Sequence, residues 1–256
     1  MELHQTALIS KKASIGEDVK IGPFSIIEDD VEIGDGSMID SHVSIKSGAR
    51  IGKNVKIYHG AAVAGPPQDL KFGGEKTELI LGDNTVIREF VTLNRGTKAH
   101  GRTEIGKNCL FMAYSHAAHD CVIGDNVILA NSVQMGGHVQ IGDWAIIGGG
   151  TVIHQFSLVG EHAMVGGGFR ITQDIIPYTL VAGYPLKCLG LNSIGLKRRG
   201  FSDETIGELK KMLRYLMSTK LNTTQAMAKI DSEIKKIPEV VKVLEFIRRS
   251  ERGVIK

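Results

Sequence analysis

Four of the nine histidines fall between positions 116 and 154: His116, His119, His138 and His154. An imidazole titrates near neutral pH, so each can take a proton as a general base or donate a hydrogen bond. A lone surface histidine is usually structural, but several on one edge of a fold form a candidate catalytic row. Two other chemistries fit less well. A zinc site needs a third ligand converging with His116 and His119. Residues three apart on a strand usually point to opposite faces, and no cysteine or paired carboxylate completes the set, so no metal is expected. No serine sits in an elbow-type motif, which disfavours a serine nucleophile.

The segments that must position these side chains are periodic. From Leu3 to Ile171 there are 29 positions spaced six apart, and 25 of them hold Ile, Leu, Val, Phe or Met. Six is neither the helical period nor a strand alternation. Sustained over such a length it marks a solenoid. The unit reads IGEDVK, IGKNVK or IGDNVI. Its first residue points inward, and a smaller inward side chain follows four later, as at Val19, Val31, Val55, Cys121 and Val133. The Gly and Asp/Asn positions suit tight turns because those residues tolerate positive φ. Three units make a triangular coil of about 18 residues, and nine or ten coils stack as parallel strands about 4.8 Å apart. On that ruler His119, His138 and His154 lie near one edge of the prism over successive coils.

The period fails at Asp69, Glu75 and Ala99 and weakens at Ala117. The segment GPPQDLKFGGEKTE (65–78) is polar and rich in Gly and Pro, so a loop near 65–79 is expected to leave the coil. AHGR (99–102) is a shorter candidate. Loops on a rigid scaffold are where binding residues are expected. Pro177 ends the repeat, so residues 1–177 are read as a β-prism and 178–256 as a linker with a C-terminal helical domain. Residues 178–200 read as an irregular bridge. Ser202 is a good N-cap, followed by an apolar face at Ile206, Leu209, Leu213 and Leu216. A second helix fits roughly 223–236, and Pro238 opens a third.

The 256 residues are 42% hydrophobic but only 5% aromatic. That suits a core of β-branched side chains in narrow coils. No apolar run reaches membrane-spanning length and no signal peptide opens the chain, so neither an integral membrane segment nor secretion is expected. Cys109, Cys121 and Cys188 have no metal-like spacing and read as reduced thiols of a cytoplasmic protein. Residues 197–256 carry 15 Lys/Arg against 8 Asp/Glu, a net +7, whereas residues 1–196 carry 16 against 20, a net −4. A basic end beside an acidic body suggests either an acidic partner or a solvated helical surface. No nucleic-acid motif accompanies it.

The hexads resemble those of the left-handed parallel β-helix acyltransferases. SHAAHDC, GGHV, IHQF, MVGG, PPQDLK and NSIGLKRRGF together closely resemble the UDP-N-acetylglucosamine O-acyltransferases, which catalyse the first step of lipid A synthesis. The likeness spans essentially the whole chain. It implies a mainly β fold, a left-handed parallel β-helix with a C-terminal α-helical domain. It implies transfer of a 3-hydroxyacyl chain from acyl carrier protein to the 3-hydroxyl of UDP-N-acetylglucosamine. It further implies a homotrimer with sites between subunits and no bound cofactor. His119 matches the general base, Asp120 the group that orients it, and the Gly137 N–H the oxyanion donor. Asp120 is equally a good turn residue, and Gly137 equally suits a turn. The resemblance assigns His138, Asp69 and Lys71 to the sugar, with His116, His154 and Gln155 lining the same cleft. Gly167 matches the position that limits acyl length. Asn192, Arg198 and Arg199 match the nucleotide segment, where arginine suits a diphosphate.

Asn94 and Ile194 depart from the family pattern, since several relatives carry His at the first and some carry Glu at the second. These departures touch contacts to sugar and nucleotide, so a 3-amino acceptor stays open. The nearest rival is an N-acyltransferase of the same pathway, which usually has a domain before its hexads. A metal-dependent hydratase and a non-catalytic hexapeptide scaffold are the others.

Overall fold

The computed structural model describes residues 2–256. It is a left-handed parallel β-helix. Its strands, mostly two residues long, stack into sheets of 11, 9 and 8 strands, the faces of a triangular prism. An 18-residue register is kept over long stretches, as in the pairs Ile21↔Ile39, Phe111↔Leu129 and Leu129↔Ile147. Each coil pairs in parallel with the next, so every interior strand finds both backbone partners in its neighbours. The slot residues are buried, Ile45, Ile57, Ile87, Leu93, Phe111 and Leu129 among them, and so are the small residues four later such as Val19, Val55 and Val133. Ala117 is equally buried and pairs with Leu93 and Met135, so the repeat is unbroken there.

The turns follow the expected chemistry only in part. Asp18, Asp30, Asn54, Asn84, Asn108 and Asn126 do take positive φ. So do Phe24, His42, Phe90, Tyr114, His138, Trp144 and Phe156, which the sequence reading did not foresee. Side chains of this size are uncommon in the left-handed region. Ring–ring packing between coils, tilted, edge-on or stacked, offsets the strain, as in the run Phe24–His42–His59–Phe90–Tyr114, whose ring centroids lie 5.0–5.3 Å apart. The glycine that follows the slot residue has a different reason from the one expected. At Gly34 φ is not positive; a Cβ there would meet the Gly52 backbone carbon at 2.6 Å. Close approach of coils, and not turn geometry, requires it.

Two excursions lengthen the coil. Ile57 pairs with Ile87, and Ile87 with Phe111, so one coil takes 30 residues and the next 24. The extra residues lie at 66–77, between strands Ala62–Gly65 and Glu78–Leu81, and at 95–101, between Thr92–Asn94 and Arg102–Ile105. Both leave the prism at the corner between the nine- and eight-stranded sheets.

The segment after Pro177 is more regular than an irregular bridge. Thr179–Ala182 pairs in parallel with Met164–Val165 and continues the 11-stranded sheet, and Lys187–Leu191 returns antiparallel to it. The hairpin abandons the period of six, so the hexad signal could not mark it. A short helix α1 (Ser193–Arg198) follows. Helices α2 (Asp203–Leu216), α3 (Thr223–Glu233) and α4 (Pro238–Arg249) match the three expected helices, α2 capped by Ser202 and α3 by Asn222 with Gln225. Their apolar faces form a second core, including Leu209, Met212, Leu216, Ile230 and Val243, that closes over Ile176 and Tyr178.

Candidate active site

His119 lies in the turn between strands His116–Ala117 and Val122–Ile123. His138 lies in the turn after Gln134–Met135, and His154 and Gln155 in the turn after Val152–Ile153. All of these turns join the nine-stranded sheet to the eight-stranded one. The histidines therefore share the corner from which both loops project. They do not form one column: Asp120, His138 and Phe156 occupy the positive-φ position of successive coils, and Gly137 stands above His119.

The His119 ring is mostly buried, and its Nδ1 lies 2.7 Å from Asp120 Oδ2. Asp120 is fully buried. Its Oδ1 accepts the Thr97 N–H at 2.9 Å and its Oδ2 accepts the Thr97 hydroxyl at 2.7 Å. Burial pushes the Asp120 carboxyl up, but the hydrogen bonds from His119 and Thr97 outweigh it and hold the group below its ordinary value. An ionised Asp120 can only accept, so it selects the Nδ1–H tautomer of a neutral His119 imidazole, whose Nε2 lone pair is what a general base requires.

That geometry has a consequence for stability. A carboxyl whose folded value is depressed stabilises the protein above the ordinary carboxylate range, and the contribution is lost as pH falls through the folded value. The Asp120→Asn variant is expected to be less stable at neutral pH by about 1–3 kcal/mol. Thermal melts from pH 7 to pH 3 should show the gap narrowing at the acid end, as the unfolded chain takes up a proton that the folded Asp120 resists. A gap that stays constant over that range would count against the ionised pair.

His138 packs edge-on against His119 with centroids 5.2 Å apart, and its Nε2 is 3.6 Å from Asp120 Oδ2. Its ring stacks on Phe156 at 4.5 Å. Burial lowers its pKa, against the opposing pull of Asp120 and, more weakly, Asp69. Asp69 is thus brought within electrostatic reach by the first loop, and its carboxylate accepts the Lys71 N–H at 2.9 Å. Lys71 is exposed. His116 projects from the strand, with Nδ1 2.8 Å from Thr92 Oγ1, and burial lowers its pKa as well. The Gly137 N–H has no acceptor among the described residues, although the residue is buried. His154 and Gln155 sit one coil further on; among the described residues no ring contact joins His154 to His119 or His138.

Neither the period nor the histidine spacing marks three further residues of this corner. His100, from the second loop, packs edge-on against His138 at 5.3 Å. Thr97 and Phe156 are the others. Only the break in the period at Ala99 hinted at the first two. Asn94, a departure from the family pattern, is buried and donates to Pro66 O at 3.1 Å, which ties down the neck of the first loop. A cavity of about 630 Å³ opens beside His100, His138 and Phe156, and Arg249 and Arg252 also line it. His119, Asp120 and His138 each offer a ligand atom, all within 4.8 Å of one another, close enough to share a divalent cation. Contrary to the expectation from residue spacing, such a set does converge: Asp120 supplies the carboxylate, and the turn brings in His138 instead of His116.

The remaining site residues lie elsewhere on this chain. Gly167 is exposed at the corner between the 11- and nine-stranded sheets, and a Cβ on it would meet Gly149 O at 2.9 Å. Asn192 caps α1 through Oδ1 and donates from Nδ2 to His162 O. Arg199 donates to Trp144 O and lies over the Trp144 ring, its guanidinium carbon 5.2 Å from the centroid, at the third corner. Arg198 is exposed on α1, as is Ile194. One chain does not bring these residues to His119.

Residues 174–255 match the family model described as Udp N-acetylglucosamine O-acyltransferase, Domain 2, and residues 12–47 and 102–137 match bacterial transferase hexapeptide repeats. The acyl-[acyl-carrier-protein]–UDP-N-acetylglucosamine O-acyltransferase of Trichlorobacter lovleyi is 51% identical over 99% of both chains. That of Thermodesulfovibrio yellowstonii is 47% identical over 99% of this chain and 98% of its own. The chain belongs to the UDP-N-acetylglucosamine O-acyltransferase family. Among solved structures, the UDP-N-acetylglucosamine acyltransferase from Bacteroides fragilis superimposes with a TM-score of 0.97 at 44% identity, over 99% of each chain. In this family member the loop-bearing corner is where imidazoles, a buried carboxylate and a cavity meet.

Proposed function

We propose that this acyltransferase moves a 3-hydroxyacyl chain from acyl carrier protein to the 3-hydroxyl of UDP-N-acetylglucosamine, the first step of lipid A synthesis, with His119 as general base. The observation that carries the role of His119 is its bond to a buried, ionised Asp120. His119 Nε2 takes the proton of the sugar 3-hydroxyl as that oxygen attacks the thioester carbonyl. The Gly137 N–H donates to the developing oxyanion. When the intermediate collapses, the carbon–sulfur bond breaks and the imidazolium returns the proton to the carrier's thiolate.

His138, Asp69 and Lys71 hold the sugar at the corner, with His116, His154 and Gln155 completing the cleft. Gly167 leaves room for a long acyl chain. Because Gly167, Asn192, Arg198 and Arg199 lie at other corners, a neighbouring subunit of a homotrimer brings them to His119. The basic 197–256 segment receives the acidic carrier. No helix is long and apolar enough to cross a membrane among the described residues. We place the reaction in the cytoplasm.

The test incubates purified protein with 3-hydroxyacyl carrier proteins of graded length and either UDP-N-acetylglucosamine or its 3-amino analogue. The expected product is an O-acylated nucleotide sugar, formed equally with and without a chelator. Activity that a chelator abolishes would favour a metal at His119, Asp120 and His138. No product from any pair would overturn the reading.

A further inference from the structure

We propose that Thr97 is the positioning residue of the His119–Asp120 pair, and that the 95–101 excursion from the coil serves to deliver it. The inference rests on the role of His119 argued above. From the preceding coil Thr103 reaches only the Asp120 N–H, and among the described residues no strand residue donates to the Asp120 carboxylate. The excursion supplies such a donor. Gly96 donates its N–H to Glu78 O at 3.1 Å, and a Cβ on it would lie 2.3 Å from Arg102 N, so the neck of the loop closes only around glycine. Beyond the neck the Gly101 N–H donates to Thr97 O at 2.7 Å and shuts the loop into a tight turn.

Every polar group of Thr97 is then committed. Its N–H and hydroxyl go to the two oxygens of Asp120. The hydroxyl oxygen accepts the Ala99 N–H at 3.2 Å. With that acceptor role filled and a carboxylate as its other neighbour, the hydroxyl hydrogen points at Asp120 Oδ2, the same oxygen that faces His119 Nδ1. Thr103 adds a third restraint by accepting the Asp120 N–H at 2.8 Å. Thr97 is buried, so water does not stand in for its hydroxyl. The two donors fix the plane of the carboxylate and hold its charge, and the carboxylate in turn fixes the His119 tautomer.

Removing the hydroxyl takes a positive dipole end away from the pair, which raises the proton affinity of both groups. The Thr97→Val variant should lose roughly 10- to 100-fold in kcat. The acid limb of its pH profile should move up by about half a unit to one unit. Its KM for the nucleotide sugar should stay near the wild-type value, and Thr97→Ser should restore both kcat and the limb. A purely structural threonine would lower melting temperature without moving the limb. A second readout is independent of turnover. In protein labelled with ¹⁵N-histidine, the downfield Nδ1 proton of His119, assigned through its loss in His119→Gln, should shift or broaden in Thr97→Val and recover in Thr97→Ser. If valine does not fold, Thr97→Ala makes the same measurement. An unshifted acid limb with an unshifted Nδ1 proton, or a serine variant as defective as valine, overturns the proposal. Absence of any transfer by wild-type protein would instead overturn the reading of the site, and the Nδ1 proton would still decide the role of Thr97.

Discussion

The His119→Ala variant is expected to lose about 10³-fold or more in kcat. The reason is specific to this corner. The attacking hydroxyl is a poor nucleophile until its proton has somewhere to go, and His119 is the imidazole whose Nδ1 is committed to a buried carboxylate. His138 does not substitute for it. Its nearest nitrogen is 3.6 Å from that carboxylate, beyond a hydrogen bond, and burial lowers its basicity. The backbone at His119 accepts the His138 N–H, a bond that alanine keeps, so the coil should remain folded. Melting curves and circular dichroism check the fold, and acyl transfer to the nucleotide sugar checks the rate. A folded alanine variant with more than about a tenth of wild-type activity would remove His119 from the mechanism.

Gly137→Ala is expected to be nearly as damaging without touching a polar group. A Cβ at Gly137 would stand 2.6, 2.7 and 3.1 Å from three atoms of the His119 ring. Contacts under 3.0 Å force a displacement, and the ring is the movable partner. Its Nδ1 would leave Asp120, and Nε2 would leave the line of attack. A misplacement of about 1 Å can cost about 100-fold in rate, and that is the expected loss here. Gly137 φ is not positive, so the alanine backbone itself is unstrained and the fold should survive. The His119 Nδ1 proton should shift along with the loss of rate. If the alanine variant kept both full activity and that resonance, the close packing would have no functional weight.

Much of this molecule was readable from its residue order. The period of six set the strands, the inward residues and the places where the coil is interrupted. Capping chemistry at Ser202 and the proline at 238 placed two helix starts. The hairpin at 179–191 stayed hidden because it joins the sheet by backbone pairing after the side-chain period has stopped. The hexad glycine is likewise not the turn residue its type suggests. Its need arises from the coil that stacks on it, and that contact has no signature within a single unit. Ala117 looked like a weak slot only because a small residue can fill a core position as well as a large one.

The candidate site divides in the same way. Residue order was enough to establish that histidines recur at nearly the coil length, and therefore that they share an edge. That conclusion needs only the period, because a regular coil converts distance along the chain into position around an axis. Which atoms meet was settled only by folding in three dimensions. Thr97 reaches Asp120 across 23 residues, through a loop whose path no repeat encodes. Asn94 holds a loop neck, and Asn192 is spent on capping a helix. These contacts depend on where irregular segments fold back, and hydrogen-bond partners there are chosen by proximity in space, to which a periodic pattern is blind.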